Sequence, residues 1–86
     1  MNKVLKVRNH LIPDFWVEGE PASNHTGCFT TDGTKLYSYE LLIGDTCTST
    51  GAKVLRDYTA PGRHGFRSMT TSKHVGLSRA AADIID

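Results

Sequence analysis

The chain is short of the features that would announce a specialised architecture. Two cysteines in 86 residues are too few for a disulfide scaffold. Cys28 and Cys47 also stand apart from His64 and His74, without the close Cys or His pair that seeds a zinc site, so no metal or cofactor is expected. Apolar residues never run to the roughly 18 that a membrane-crossing helix needs, which excludes a membrane role of that type. The opening MNKVLKVRNH is positively charged but is not followed by an apolar stretch of about seven to fifteen residues, so no secretory leader is expected. The expected compartment is therefore the cytoplasm, where both thiols stay reduced, and the Asn24-His25-Thr26 sequon is read as an accident of composition. A Cys28 to Cys47 bridge stays open for an oxidising setting. The chain has no internal repeat, linker or low-complexity segment.

What is present is an ordinary globular composition, 38% hydrophobic and 22% charged. A chain of this length buries only about two thirds of the surface its unfolded form exposes. Residues 1 to 86 therefore read as a single domain with one thin core, and a homodimer would add the apolar burial that the monomer lacks.

The charge is sorted by position. Residues 9 to 52 carry six acids (Asp14, Glu18, Glu20, Asp32, Glu40, Asp45) against Lys35, a net of −5, and residues 53 to 79 carry six bases (Lys53, Arg56, Arg63, Arg67, Lys73, Arg79) against Asp57, a net of +5. Such a split produces either two binding faces or two halves of one fold that attract each other.

The periodicities predict an α+β fold, with a small antiparallel sheet of three to five strands and one C-terminal amphipathic helix. Residues 3 to 8 suit a short edge strand guarded by Lys and Arg. The stretch from His10 to Gly27, with Pro13, Gly19 and Pro21 around Phe15-Trp16-Val17, reads as a loop or short strand whose aromatic pair docks on the main body. Asp32-Gly33 between strand-forming residues signals a hairpin turn. From Leu36 to Ile43, alternation predicts one strand with Tyr37, Tyr39, Leu41 and Ile43 on its core face. Residues 44 to 52 read as a loop, Lys53 to Tyr58 as a strand with Val54 and Tyr58 facing one way, and Phe66 to Met69 as a further short strand. One of Thr70, Thr71 and Ser72 is expected to cap a helix whose buried face holds His74, Leu77, Ala81, Ile84 and Ile85.

Polar donors are densest from Tyr58 to His74. Arg63, Arg67, Lys73 and Arg79 there suit phosphate contacts with Phe66 or Tyr58 stacked on a base, but no established nucleic-acid motif accompanies them. Pro61-Gly62-Arg63-His64-Gly65 offers backbone N–H groups to an anion, yet lacks the ending of a phosphate-binding loop, and its plainer reading is a turn. A catalytic set would draw on His64 or His74 as base, Ser68, Ser72 or Cys47 as nucleophile and Glu40 or Asp57 as orienting carboxylate. Without a nucleophile elbow or the volume to enclose a substrate, the chain is not expected to be an enzyme. His74 reads as a helix-terminal or core histidine with a satisfied hydrogen bond, and the cysteines as small buried apolar residues.

Two blocks, Leu36-Tyr37-Ser38-Tyr39 and Met69-Thr70-Thr71-Ser72-Lys73-His74, resemble a pattern in small uncharacterised proteins of bacteriophages and other mobile elements. The resemblance spans roughly residues 33 to 80; the insertion Thr59 to His64 and the acidic segment 9 to 32 depart from it. It carries over no functional residue, but it implies a setting. Small accessory proteins of that kind work without catalysis, inside the host cell, by covering a host machine, and inhibitors of CRISPR or restriction systems are of this class. The expected partner is then a host protein or ribonucleoprotein complex, with nucleic acid bound directly by residues 53 to 79 as the alternative. Arg63, His64, Phe66, Arg67, Lys73 and Trp16 are the expected contact residues, since such interfaces favour Trp, Tyr and Arg.

Overall fold

Helix formation begins earlier in the chain than this reading expects. In a computed structural model that describes residues 4 to 86, a 3₁₀ turn over Asn9–Leu11 runs into α1, Ile12–Glu18. Pro13 lies in the first turn, where its missing N–H costs no helical hydrogen bond, and Asp14 beside it favours the positive end of the helix dipole. Gly19, at φ 76°, ends the helix by donating its N–H to the carbonyls of Phe15 and Trp16. The proline and glycine read as loop markers are therefore a helix's start and stop signals.

The sheet is larger than expected and is mixed rather than antiparallel. It holds seven strands in sequence order: β1 Leu5–Lys6, β2 Ala22–Ser23, β3 Phe29–Thr31, β4 Leu36–Ser38, β5 Leu41–Thr46, β6 Lys53–Leu55 and β7 Ile84–Ile85. Strands β2 to β6 form an antiparallel meander, to which β1 and β7 add parallel edges. The expected turn at Asp32-Gly33 joins β3 to β4, where the Asp32 carboxylate accepts from the backbone N–H groups of Thr34 and Lys35.

The run from Leu36 to Ile43 is not one strand but two, reversed at Tyr39-Glu40, where Tyr39 takes φ 57°. Leu36 and Ser38 face the core while Tyr37 lies on the opposite face, half-buried in a row with Thr30 and Leu42. A register shift between Leu36 and Tyr37 then places Ile43 and Gly44 together on the buried side. Strand β6 likewise turns Lys53 and Leu55 inward and leaves Val54 half-buried on the other face.

Residues 66 to 68 form no strand. They lead into α2, Met69–Ser78, capped by Ser68, whose hydroxyl accepts from the Thr71 N–H at 3.1 Å, in place of the expected Thr70, Thr71 or Ser72. The buried face of α2 is Thr71, His74, Val75 and Ser78. Leu77 is exposed, and Ile84 and Ile85 are drawn into β7 beside β6 rather than continuing the helix.

Strand parity explains how one thin core suffices. β1, β2, β6 and β7 run the same way, and the β1-α1-β2 and β6-α2-β7 crossovers step across the sheet in the same direction. Crossovers of one hand then lay both helices on one face. The core between the layers comprises Ile12, Trp16, Ala22, Phe29, Leu36, Ile43, Leu55, Tyr58 and Val75. None of the helices among the described residues is long and apolar enough to cross a membrane.

Trp16 is fully enclosed, with its indole N–H donated to the Thr34 carbonyl at 3.0 Å. It is therefore removed from the expected contact surface. Its ring lies so close over β5 that a Cβ on Gly44 would stand 2.8 Å from Trp16 Cζ2 and 2.9 Å from Leu36 Cβ. Gly44→Ala is expected to cost about 1–3 kcal/mol through this overpacking, and a domain of this size loses about 4–8 °C in Tm per kcal/mol. Thermal unfolding followed by circular dichroism checks it, and an unchanged Tm would mean that Trp16 does not sit on Gly44.

Candidate functional site

The loop from Asp57 to Ser68 is fixed at its root by charge and by strand pairing. Pairing of β7 with β6 brings Asp86 alongside, with the Asp86 N–H donated to the Leu55 carbonyl and the Asp57 N–H to the Asp86 carbonyl. Arg63 Nη1 then reaches Asp86 Oδ1 at 3.2 Å, and His64 Nε2 lies 3.2 Å from Asp86 Oδ2. Asp57 is held by the Thr59 hydroxyl and by Arg79 Nη2 at 2.8 Å, and these two, Thr59 first, keep its carboxyl below the usual range.

Tyr58 is the platform of this loop. It is buried, with the His64 ring 5.0 Å away on one side and the Arg67 guanidinium 5.4 Å from its ring centre. Arg63, His64 and Arg67 are thus drawn together through Asp86 and Tyr58, and Phe66 extends beside them, 51% exposed. Met69, the first residue of α2, is 69% exposed, and the sequence reading did not count it among the contact residues. Lys73 is exposed one turn further along α2 and forms no ion pair among the described residues.

The loop is not an anion cradle. The N–H groups of Gly62, His64 and Gly65 are already donated to the carbonyls of Thr59, Asp57 and Gly62. The basic segment is also partly committed within the fold. Lys53 is buried, its Nζ on Thr46 Oγ1 at 2.8 Å and above the Trp16 ring, while Arg63 and Arg79 pair with Asp86 and Asp57. Among the described residues, no base of segment 53 to 79 forms an ion pair with an acid of segment 9 to 52. The two charged halves therefore do not neutralise each other through direct contacts.

The segments Leu36-Tyr37-Ser38-Tyr39 and Met69-Thr70-Thr71-Ser72-Lys73-His74 meet in the core. Ser38 Oγ lies 2.7 Å from His74 Nδ1 and 3.0 Å from Thr71 Oγ1, and the Ser78 hydroxyl donates to the His74 carbonyl. The His74 ring stacks on Phe29 at 4.2 Å with 7° between the planes, and Tyr39 approaches it at 6.5 Å. The expected satisfied core histidine is thus found. Both cysteines depart from their buried apolar reading, because each residue is only partly buried and Cys28 Sγ accepts a hydrogen bond from Asn24 Nδ2 at 3.3 Å. Both cysteines are free, and no group of three or more His, Cys, Asp or Glu among the described residues is placed to hold a metal ion. No protein family, curated protein or solved structure matches the chain.

Burial holds His74 below its ordinary value near 6.5, and the Arg8 and His25 side chains at the adjoining pocket bring no negative charge that would oppose this. The unfolded chain therefore takes up a proton that the folded chain excludes. Stability should be full above about pH 6.5 and decline as the pH falls below it toward the folded value, by at most about 1.4 kcal/mol per pH unit for one such site. Urea unfolding between about pH 7.5 and about pH 5, with the His74 ring followed by NMR, measures it. A ring titrating at or above 6.5 would contradict the burial.

Proposed function

We propose that this chain is a non-catalytic accessory protein of the phage type, which binds and inhibits a host defence complex of the CRISPR or restriction kind inside the host cell. The observation that carries the binding surface is Phe66 standing exposed beside Arg67 on a loop whose root is fixed by Asp57 and Asp86, with Met69 exposed at the start of α2 that follows it. Large apolar side chains next to an arginine already stacked on tyrosine are the anchors of a protein interface, and a fixed loop loses less entropy on docking than a mobile one. The defence-complex setting rests on the resemblance of the two sequence blocks.

Direct nucleic-acid binding is less well supported. Of the six bases in the segment, Lys53 is buried and Arg63 and Arg79 face their own carboxylates, which leaves Arg56, Arg67 and Lys73 to contact phosphates. So small a number supplies only a shallow salt dependence.

Affinity capture from a bacterial lysate, with and without nuclease, separates the two readings. The wild-type chain should retain a nuclease-resistant protein complex with a defence function. Phe66→Ala with Met69→Ala should lower that retention at least about tenfold, with the circular dichroism spectrum unchanged because both side chains are exposed. Retention untouched by the double substitution would overturn this surface. Loss of all captured material on nuclease treatment would transfer the function to the nucleic-acid reading.

A further inference from the structure

A sheet covered by helices on one side commonly turns polar side chains to water on the other. Here the face away from the helices is apolar as well. The pairing registers put Lys6, Ser23, Thr30, Tyr37 and Leu42 in one row across it, and Asp45, Val54 and Ile84 in a second. Tyr37, Leu42 and Val54 keep part of their surface open, and Ile84, like Val4 just before β1, is 50% exposed. The described residues form a slab with extents of 40 × 32 × 19 Å, whose short dimension is that of one sheet and one layer of helices.

The two halves of this face differ in shape and charge. On the β1 to β4 half, Val4, Lys6, Ser23, Thr30 and Tyr37 line a shallow depression of about 370 Å³. Asp32 also reaches it, with its carboxylate already committed to the Thr34 and Lys35 N–H groups. The β5 to β7 half carries the aliphatic side chains Leu42, Val54 and Ile84. The charged members of the two rows are Lys6 in the first half and Asp45 in the second, and neither forms an ion pair among the described residues.

We infer that the outer face of the sheet is a homodimer interface, on which the β1 to β4 half of one copy packs against the β5 to β7 half of the other. A two-fold axis along the central strand β4 makes that match twice over, as a closed symmetric pair requires. Val54 and Ile84 of each copy then face the depression of the other, and Lys6 comes to the side that bears the partner's Asp45. A stable interface takes about 800 Å² from each partner, and the 40 × 32 Å face of the slab is broad enough to supply it. The apolar burial that one thin core lacks is thereby added on the opposite side of the sheet. Both helices stay outside such a dimer, so Met69 at the start of α2 remains open to a further partner.

Sedimentation equilibrium of the full chain over a range of concentrations tests this. The wild-type chain should sediment as two copies, with a dissociation constant on the order of micromolar or below. Leu42→Glu, which sets a charge in the middle of the face, should raise that constant at least about tenfold, and Ile84→Glu at its exposed end should do the same with an unchanged circular dichroism spectrum. Lys6→Asp and Asp45→Lys should each weaken the dimer about fivefold, and the two together should restore it, because the exchange rebuilds the same pair with its signs reversed. A chain that stays monomeric to about 100 μM would overturn the interface. So would a dimer that Leu42→Glu and Ile84→Glu leave intact, since it would then use another surface. Loss in both single charge variants without recovery in the double one would overturn the pairing of the two halves.

Discussion

Ser38 and His74 meet 2.7 Å apart at the centre of the sheet, and the placing of α2 depends on that contact. Three of the four residues that α2 buries are Thr71, His74 and Ser78, so apolar burial contributes little beyond Val75 and the stacking of His74 on Phe29. A helix docked in this way is held by pairing. Each hydrogen bond adds only about 1 kcal/mol net, whereas leaving one buried partner unpaired costs about 1–3 kcal/mol, so the polar contacts select one seating more sharply than they strengthen it. The same seating places His74 in the wall of the pocket it shares with Cys28 and Thr70, and fixes the far end of the 57 to 68 loop at the start of α2. The exposed Phe66–Met69 surface and the pocket wall at Thr70 hang on one buried contact between β4 and α2.

The sorted charges serve that geometry more than they serve stability. Arg63 with Asp86 is largely solvated, and such a pair contributes on the order of 0–1 kcal/mol, whereas Arg79 meets a mostly covered Asp57 carboxylate. Their effect is to hold the loop root against β6 and β7, leaving Phe66 and Met69 outward. The acids of residues 9 to 52 have other tasks. Asp32 closes the β3-β4 turn and Asp14 sits in the first turn of α1. The segment's excess negative charge therefore stays on the surface.

The parts of the fold that chemistry marks locally are legible in the sequence: the α+β class, the Asp32-Gly33 hairpin, a strand at Lys53 and a helix near the Thr70-Thr71-Ser72 cluster, which begins earlier than expected, at Met69. Three failures have distinct physical causes. Pro13 and Gly19 were read as loop markers, although their order, proline first and glycine last, is that of a helix. Alternation across Leu36 to Ile43 failed because Tyr39 adopts a positive φ that only tertiary context justifies, and because the register shift at Leu36 places two adjacent residues on one face. The C-terminal helix was extended to Ile85 because its apolar residues were taken as its core. The true face, at positions 71, 74, 75 and 78, has perfect helical spacing but is mostly polar, so a search for hydrophobic periodicity passes over it. Cys28 and His74 were both noticed, yet nothing in an 86-residue string places positions 46 apart on the rim of one pocket.

Three consecutive residues at the start of α2 divide the labour of this molecule. Met69 stands on the exposed surface, Thr70 lines the Cys28 pocket, and Thr71 is locked to Ser38 in the core. One helical turn therefore carries an interface, a pocket wall and a structural hydrogen bond, each pointing a different way because successive residues are about 100° apart. Substitutions in this turn do not report on one role by default. A change at Met69 removes contact area and leaves the buried network alone, whereas a change at Thr71 unseats α2 and disturbs the loop and the pocket together. Separating the binding surface from the buried network thus requires side chains that stand clear of it, as the exposed Phe66 does, rather than those nearest in sequence to both.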